Sequence, residues 1–86
     1  MIKVIVLQDQ ILITQIEEVP SELGEPDCKM KNPFIVTKDG TLIPWLNEYT
    51  SQKEFMVHSD KILTITEPNT KLLDRYQRWL TSEILY

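Results

Sequence analysis

Short apolar runs separated by polar breaks dominate the first two thirds of the chain. The runs at residues 2–7 and 11–19 are rich in β-branched side chains and flank a polar triplet at residues 8–10. β-branched residues favour extended backbone, so two strands joined by a tight turn are predicted. Pro20 closes the second run, and the turn formers and acids of residues 20–27 predict an exposed loop.

A third strand is predicted over residues 28–37, followed by a hairpin. Pro33 lacks a backbone N–H, so it implies an edge position, a bulge or a bend within this strand. The pair Asp39–Gly40 between β-like segments is a strong turn signal, because both residues tolerate positive φ. The strand that returns from this turn is expected over residues 41–46.

The stretch FMVHSDKILTIT, residues 55–66, places a polar break between two more short apolar runs. The break spans residues 58–61, and the runs at 55–57 and 62–65 complete the β region. Short strands with hairpin links and no crossover helix are typical of all-β folds. The pattern therefore predicts a mainly β domain that forms a small antiparallel barrel.

The last twenty residues have helical periodicity instead. The apolar positions recur every three or four residues, at 72, 73, 76, 79, 80 and 84. Pro68 suits a first helical turn, and Thr66 or Asn69 is expected to cap it; Asp74 and Arg78 are spaced for an ion pair. We expect residues 1–66 to form the barrel and residues 67–86 an amphipathic helix that packs on the barrel or on a neighbouring subunit, in a single domain overall.

Composition narrows the possible classes of function. The chain has 86 residues and a net charge of −4, which is unfavourable for a general polyanion binder. A single cysteine cannot form an internal disulfide, which suits a reducing compartment. The first apolar run is too short for a signal peptide core or a membrane span, so we expect a cytoplasmic protein without membrane contact.

Few residues have the pattern of a catalytic, metal or cofactor site. Cys28 and His58 are the only residues of their types, and nothing in the sequence brings them together. No cluster of metal-ligating residues occurs, and Gly24 and Gly40 are too isolated to form a phosphate-binding loop. We therefore predict no catalytic residue, metal or cofactor, and interpret the chain as a binding or assembly module. An enzyme or redox protein built on Cys28 is the competing hypothesis.

Residues 28–38 carry three lysines and no acid. Lysine, an aromatic ring and an amide are the side chains that hold single-stranded nucleic acid, so Lys29, Lys31 and Asn32 are candidate RNA contacts. The alternative is an ordinary strand with its lysines in solvent and with Met30 and Phe34 in the core.

Residues 55–65 resemble the second motif of the Sm/LSm family, in which three apolar residues precede Arg-Gly, two variable residues and an apolar strand. His58 stands at the arginine and Ser59 at the glycine. A fainter likeness to the first motif covers the apolar positions of the first two runs, and Met30, Asn32 and residues 34–36 are similar to the family's Met-Asn-apolar stretch. The chain also resembles small Sm-like proteins of phage and marine metagenomic origin.

The resemblance implies a strongly bent, five-stranded SH3-like barrel that assembles into a homo-oligomeric ring of five to seven subunits. In such rings the fourth strand of one subunit pairs with the fifth strand of the next. It also implies binding of single-stranded, often uridine-rich, RNA at the pore, with His58 and Ser59 as the first candidates and Asn32 as the third. The helix departs from the family pattern, because it follows the barrel instead of preceding it. A homo-oligomeric adaptor that does not bind RNA is the alternative function.

Overall fold

The computed structural model describes the backbone of residues 1–85 and the side chains of residues 1–81. In chain order the elements are β1 (Ile2–Val6), β2 (Ile11–Glu18), β3 (Cys28–Val36), β4 (Leu42–Pro44), β5 (Glu54–Val57), a 3₁₀ turn (Ser59–Lys61), β6 (Thr64–Thr66) and α1 (Thr70–Leu85). The mainly β class and the C-terminal helix are thus confirmed.

All six strands belong to one antiparallel sheet. The strand order is β4–β3–β2–β1–β6, and β5 pairs with β3. Because β2 occupies one edge of β3, both β4 and β5 pair along its other edge, β4 with the C-terminal half and β5 with the N-terminal half. A fourth strand is thus divided into β4 and β5 by the segment 45–53.

The predicted antiparallel sheet is confirmed, but it does not form the expected five-stranded barrel. The sheet has six strands, and it is open, because β6 pairs only with β1 and β5 only with β3 among the described residues. The polar break after β5 is also not a hairpin. It forms the 3₁₀ turn, which carries the chain from the β3 side of the sheet to the β1 side.

Of the irregularities predicted from Pro33, an edge position, a bulge or a bend, the structure has a bulge in the middle of β3. The register with β2 shifts there. Thr14 alone stands opposite two residues of β3, Asn32 and Pro33, so β3 carries one extra residue. Asn32 has a φ of 51°, a left-handed value that asparagine tolerates better than most residues. The buried Thr14 hydroxyl donates to the Lys31 carbonyl at 3.0 Å, which satisfies one acceptor beside the bend.

Both faces of the sheet are covered, so β2 is apolar on consecutive residues and does not alternate. Ile13 faces a core cluster with Phe34, Leu42 and Tyr76. Its neighbour Leu12 points the other way, into a second cluster with the core residues Ile5 and Met30. Trp45 packs on this second cluster with its ring centroid 5.2 Å from that of Phe55, and its Nε1–H donates to the Gln10 side chain.

The helix α1 packs on the face of its own sheet that carries the first core cluster. Tyr76 is fully buried, and its ring packs edge-on against Phe34 with the centroids 5.8 Å apart. Leu72 and Leu80 lie one turn before and after it and pack on the same cluster. The Asn69 side chain accepts from the Leu72 backbone N–H at 2.8 Å, which confirms it as the cap, and the predicted pair of Asp74 and Arg78 is formed at 3.1 Å. The predicted apolar position 84 lies outside the described side chains.

Candidate functional site

Four of the five predicted RNA contacts lie along one pair of strands, which we call the β3–β5 ribbon (residues 27–31 and 54–59). Lys29 and Lys31 alternate along β3 and stand opposite Met56 and Glu54. His58 and Ser59 directly follow β5, beside the first residue of the ribbon. The antiparallel register therefore brings together two segments that are distant in sequence.

The positive charge of this ribbon is locally compensated. The Lys29 ammonium lies 3.7 Å from the Glu17 carboxylate and 3.6 Å from that of Glu54. The Lys31 ammonium lies 4.0 Å from the same Glu54 carboxylate. Two lysines thus share two glutamates, and this reduces the attraction of the ribbon for phosphate.

Ser59 is occupied by an interaction that the sequence did not predict. Its backbone N–H and its hydroxyl both donate to the Asp27 carboxylate, at 2.7 and 2.6 Å. These hydrogen bonds lower the pKa of Asp27, first through the side chain of Ser59 and then through its backbone. The carboxylate stands beside His58, so the position that the resemblance assigns to arginine faces a fixed negative charge.

Asn32 lies at the end of the ribbon and forms part of the irregularity in β3. Its backbone N–H donates to the Lys53 carbonyl at 2.8 Å, and its own carbonyl accepts from the Tyr76 hydroxyl at 2.9 Å. With its positive φ, these bonds give it a structural function that is independent of any ligand.

Cys28 and His58 come closer than the sequence suggested, since Cys28 pairs with Val57, one residue before His58. The cysteine is nevertheless buried, whereas the histidine is exposed. Burial raises the pKa of the Cys28 thiol, with a further contribution from Asp27. A buried, protonated thiol is a poor nucleophile, so the pair does not have the features of an activated cysteine.

A second basic group was missed by sequence reasoning. Lys71, Arg75 and Arg78 are spaced by four and three residues, so they share one side of α1. Arg75 donates to the Gly40 carbonyl at 2.8 Å, which joins this side of the helix to the β3–β4 hairpin. The helical spacing alone was visible in the sequence. That a lysine-bearing hairpin lies beside it depends on the tertiary fold.

A comparison with protein families places nearly the whole chain in one of them. The model of a family described as "Family of unknown function (DUF6561)" matches residues 1–81. The chain belongs to this family. No curated protein matches the chain. The match thus assigns the family without assigning a chemistry, and the likeness to Sm proteins stays a prediction.

Two absences among the described residues bear on function. None of their helices is long and apolar enough to cross a membrane. Within that same part of the chain, no three His, Cys, Asp or Glu side chains are grouped so that they could hold a metal ion.

Proposed function

We propose that this family member is an Sm-like assembly module that joins copies of itself through the free edges of β5 and β6. The observation that carries the proposal is that, within the part of the chain that the structure describes, each of these strands has a neighbour on one side only. An unpaired edge presents backbone donors and acceptors that readily pair with another chain. The two strands have four and three residues, which suits mutual pairing between subunits.

Exposed apolar side chains on both strands support this pairing. Met56 on β5 and Ile65 on β6 are 49% and 51% exposed, and Leu63 just before β6 is 66% exposed. Pairing β5 of one copy with β6 of the next would cover these side chains and would give the backbone donors and acceptors of both edges hydrogen-bond partners. Successive pairings of this kind are head-to-tail, and such contacts close into a ring where the rotation permits.

The Sm-like class is supported by the path of the chain. Three consecutive antiparallel strands are followed by a last strand that returns to pair with β1, and the third strand carries a bulge, a feature that bends a strand. A strongly bent sheet of this kind is what the resemblance to Sm proteins implies. A ring of five to seven subunits is the form of assembly that we expect.

Light scattering coupled to gel filtration tests the assembly. We expect a discrete oligomer at micromolar concentration and a monomer for Ile65→Lys, since a charge on an edge strand opposes pairing. Leu23→Lys is the matched control, because Leu23 is fully exposed in the loop after β2 and should keep the wild-type mass. A wild-type monomer would overturn the proposal, and an Ile65→Lys oligomer of unchanged mass would exclude this edge.

Binding of single-stranded RNA by the same assembly is the second candidate function. It is favoured by the convergence of Lys29, Lys31, His58 and Ser59 on the β3–β5 ribbon. The variant His58→Ala with Lys29→Ala should weaken binding of oligo-uridine and flatten its dependence on salt. If fluorescence anisotropy shows unchanged binding, the ribbon is not the RNA site. If no complex forms with wild type, the adaptor function is favoured.

A further inference from the structure

The surface between the β3–β4 hairpin and α1 concentrates the positive charge of the protein. We define this hairpin–helix surface by residues Lys38, Gly40, Lys71, Arg75, Arg78 and Trp79. It carries four of the nine basic residues of a chain whose net charge is −4. Among the residues whose side chains are described, the same hairpin turn and helix side carry two acids, Asp39 and Asp74.

Both of these acids are engaged locally. Asp39 accepts hydrogen bonds from Thr37 and Thr41 within the hairpin, and these bonds lower its pKa to about 2. Asp74 pairs with Arg78 at 3.1 Å. Among the described side chains, Lys38, Lys71 and Arg75 have no carboxylate partner, in contrast to the lysines of the β3–β5 ribbon.

Arg75 stands in the middle of this surface and is held by the hairpin. Its guanidinium donates to the Gly40 carbonyl, and a Cβ on Gly40 would lie 2.5 Å from its Nη1. The absence of a side chain at position 40 thus allows the guanidinium to rest on the turn. A guanidinium that uses one N–H in this way has further donors for a phosphate.

Two open clefts border Arg75. One, of about 330 Å³, is lined by Gly40, Thr41, Leu42 and three helix residues, Arg75, Arg78 and Trp79. The other, of about 320 Å³, shares Gly40 and Arg75 with the first and is also lined by Lys38 and Lys71. The Trp79 ring packs on Phe34 with the centroids 5.7 Å apart but remains 43% exposed. An indole and several cations thus stand side by side.

We infer that the hairpin–helix surface binds nucleotide units, with Arg75 and its flanking cations on the phosphate and Trp79 against the base. A guanidinium recognises phosphate by paired hydrogen bonds, and an exposed aromatic ring stacks on any base. The unit is either a free nucleotide or part of a single strand, since both have the same chemistry. The site is separate from the β3–β5 ribbon, and it does not depend on the proposed assembly, because one chain supplies all of its residues.

The chain offers an internal control for a binding experiment. Its two tryptophans report on different places, because Trp79 lies at the proposed site, whereas Trp45 packs on the second core cluster and its indole N–H donates to Gln10. Nuclear magnetic resonance of the nitrogen-labelled full chain resolves both indole signals. On addition of uridine monophosphate, and separately of a short oligo-uridine strand, we expect the Trp79 signal to move and the Trp45 signal to stay.

Matched charge variants locate the site. Lys71→Gln with Arg78→Gln should weaken binding of the strand by about tenfold or more and lower its salt slope by about 0.7 per lost phosphate contact. Lys29→Gln with Lys31→Gln removes the same charge from the ribbon and should have a much smaller effect on binding that is followed by the Trp79 signal, which reports on the hairpin–helix surface alone. Thermal unfolding of each variant establishes that it is folded.

The outcomes separate the alternatives. A strand that binds far more tightly than the mononucleotide identifies single-stranded nucleic acid as the source, and equal affinity identifies a free nucleotide. Equal losses in the two double variants would overturn the inference in favour of diffuse charge attraction. Losses confined to the ribbon variant would overturn it in favour of the ribbon, and an unmoved Trp79 signal with both probes would overturn it outright.

Discussion

The Tyr76 hydroxyl joins the helix to the bend of β3, and its removal by Tyr76→Phe tests how the two are held together. The hydroxyl lies 2.9 Å from the Asn32 carbonyl and 3.3 Å from the Lys31 carbonyl, in a side chain with no exposed surface. Phenylalanine keeps the edge-on contact with Phe34 and removes the hydroxyl. The stability that is lost can therefore be assigned to the interactions of the hydroxyl.

The expected loss of stability depends on whether each of the two carbonyl acceptors keeps another donor. The Lys31 carbonyl keeps the Thr14 hydroxyl as a donor at 3.0 Å, whereas the Asn32 carbonyl loses its bond from Tyr76. Losing the donor of one part-buried acceptor costs about 1–2 kcal/mol in the free energy of unfolding. In a domain of this size each kcal/mol lowers the Tm by about 4–8 °C.

Urea and thermal unfolding followed by circular dichroism measure this loss. Tyr49→Phe is the matched control, since Tyr49 is 82% exposed in the segment between β4 and β5 and should unfold like wild type. A loss below about 0.5 kcal/mol for Tyr76→Phe, the range of ordinary surface substitutions, would refute the claim that this hydroxyl ties the helix to the bend.

Three further predictions concern the turns and the thiol. Gly40→Ala should lower the free energy of unfolding in urea more than Gly24→Ala does. Both glycines have positive φ, but only a Cβ at Gly40 would meet another side chain. Equal losses would show that backbone strain alone matters. Hydrogen bonds led by that from Thr37 lower the pKa of Asp39 from 3.8 to about 2, so its contribution to stability is present above about pH 4 and is lost as the pH falls towards 2. Asp39→Asn, which suits the same turn but cannot ionise, should reduce the difference in unfolding free energy between pH 6 and pH 2.5; an unchanged difference would contradict this. Cys28 should react with a thiol reagent only after unfolding, because it is buried and its pKa is raised by desolvation; rapid reaction in the folded protein would place the thiol at the surface.

The sequence predicted the elements whose signals are local. The strand ends agree with the structure to within about two residues, the turn at Asp39–Gly40 has the expected positive φ at Gly40, and Asn69 caps the helix. Each of these depends on residues close together in the chain. Pro33 also predicted an irregularity in β3, since a missing N–H constrains any strand in which it lies.

The errors came from pairings between distant residues. Nothing between β4 and β5 signals that both return to the same edge of β3, so one divided strand was not distinguishable from two hairpins. The compensation of Lys29 by Glu17 and Glu54 depends on the register of three strands. Likewise, the basic side of α1 becomes a candidate site only because Arg75 contacts Gly40, which lies 35 residues earlier in the chain. No local pattern in the sequence predicts that contact.

Because the fourth strand is divided, residues can be inserted between its two halves. Both ends of the segment 45–53 are hydrogen-bonded to β3. At its start the Trp45 N–H donates to the Pro33 carbonyl, and at its end the Lys53 carbonyl accepts from the Asn32 N–H. Its two ends are therefore anchored to adjacent residues of one strand, whatever lies between them. Because loop closure depends only weakly on length, extra residues inserted beside the exposed Tyr49 should leave the register of β5 unchanged. The fold thus offers a place where a peptide or a whole module can be inserted without disturbing the sheet.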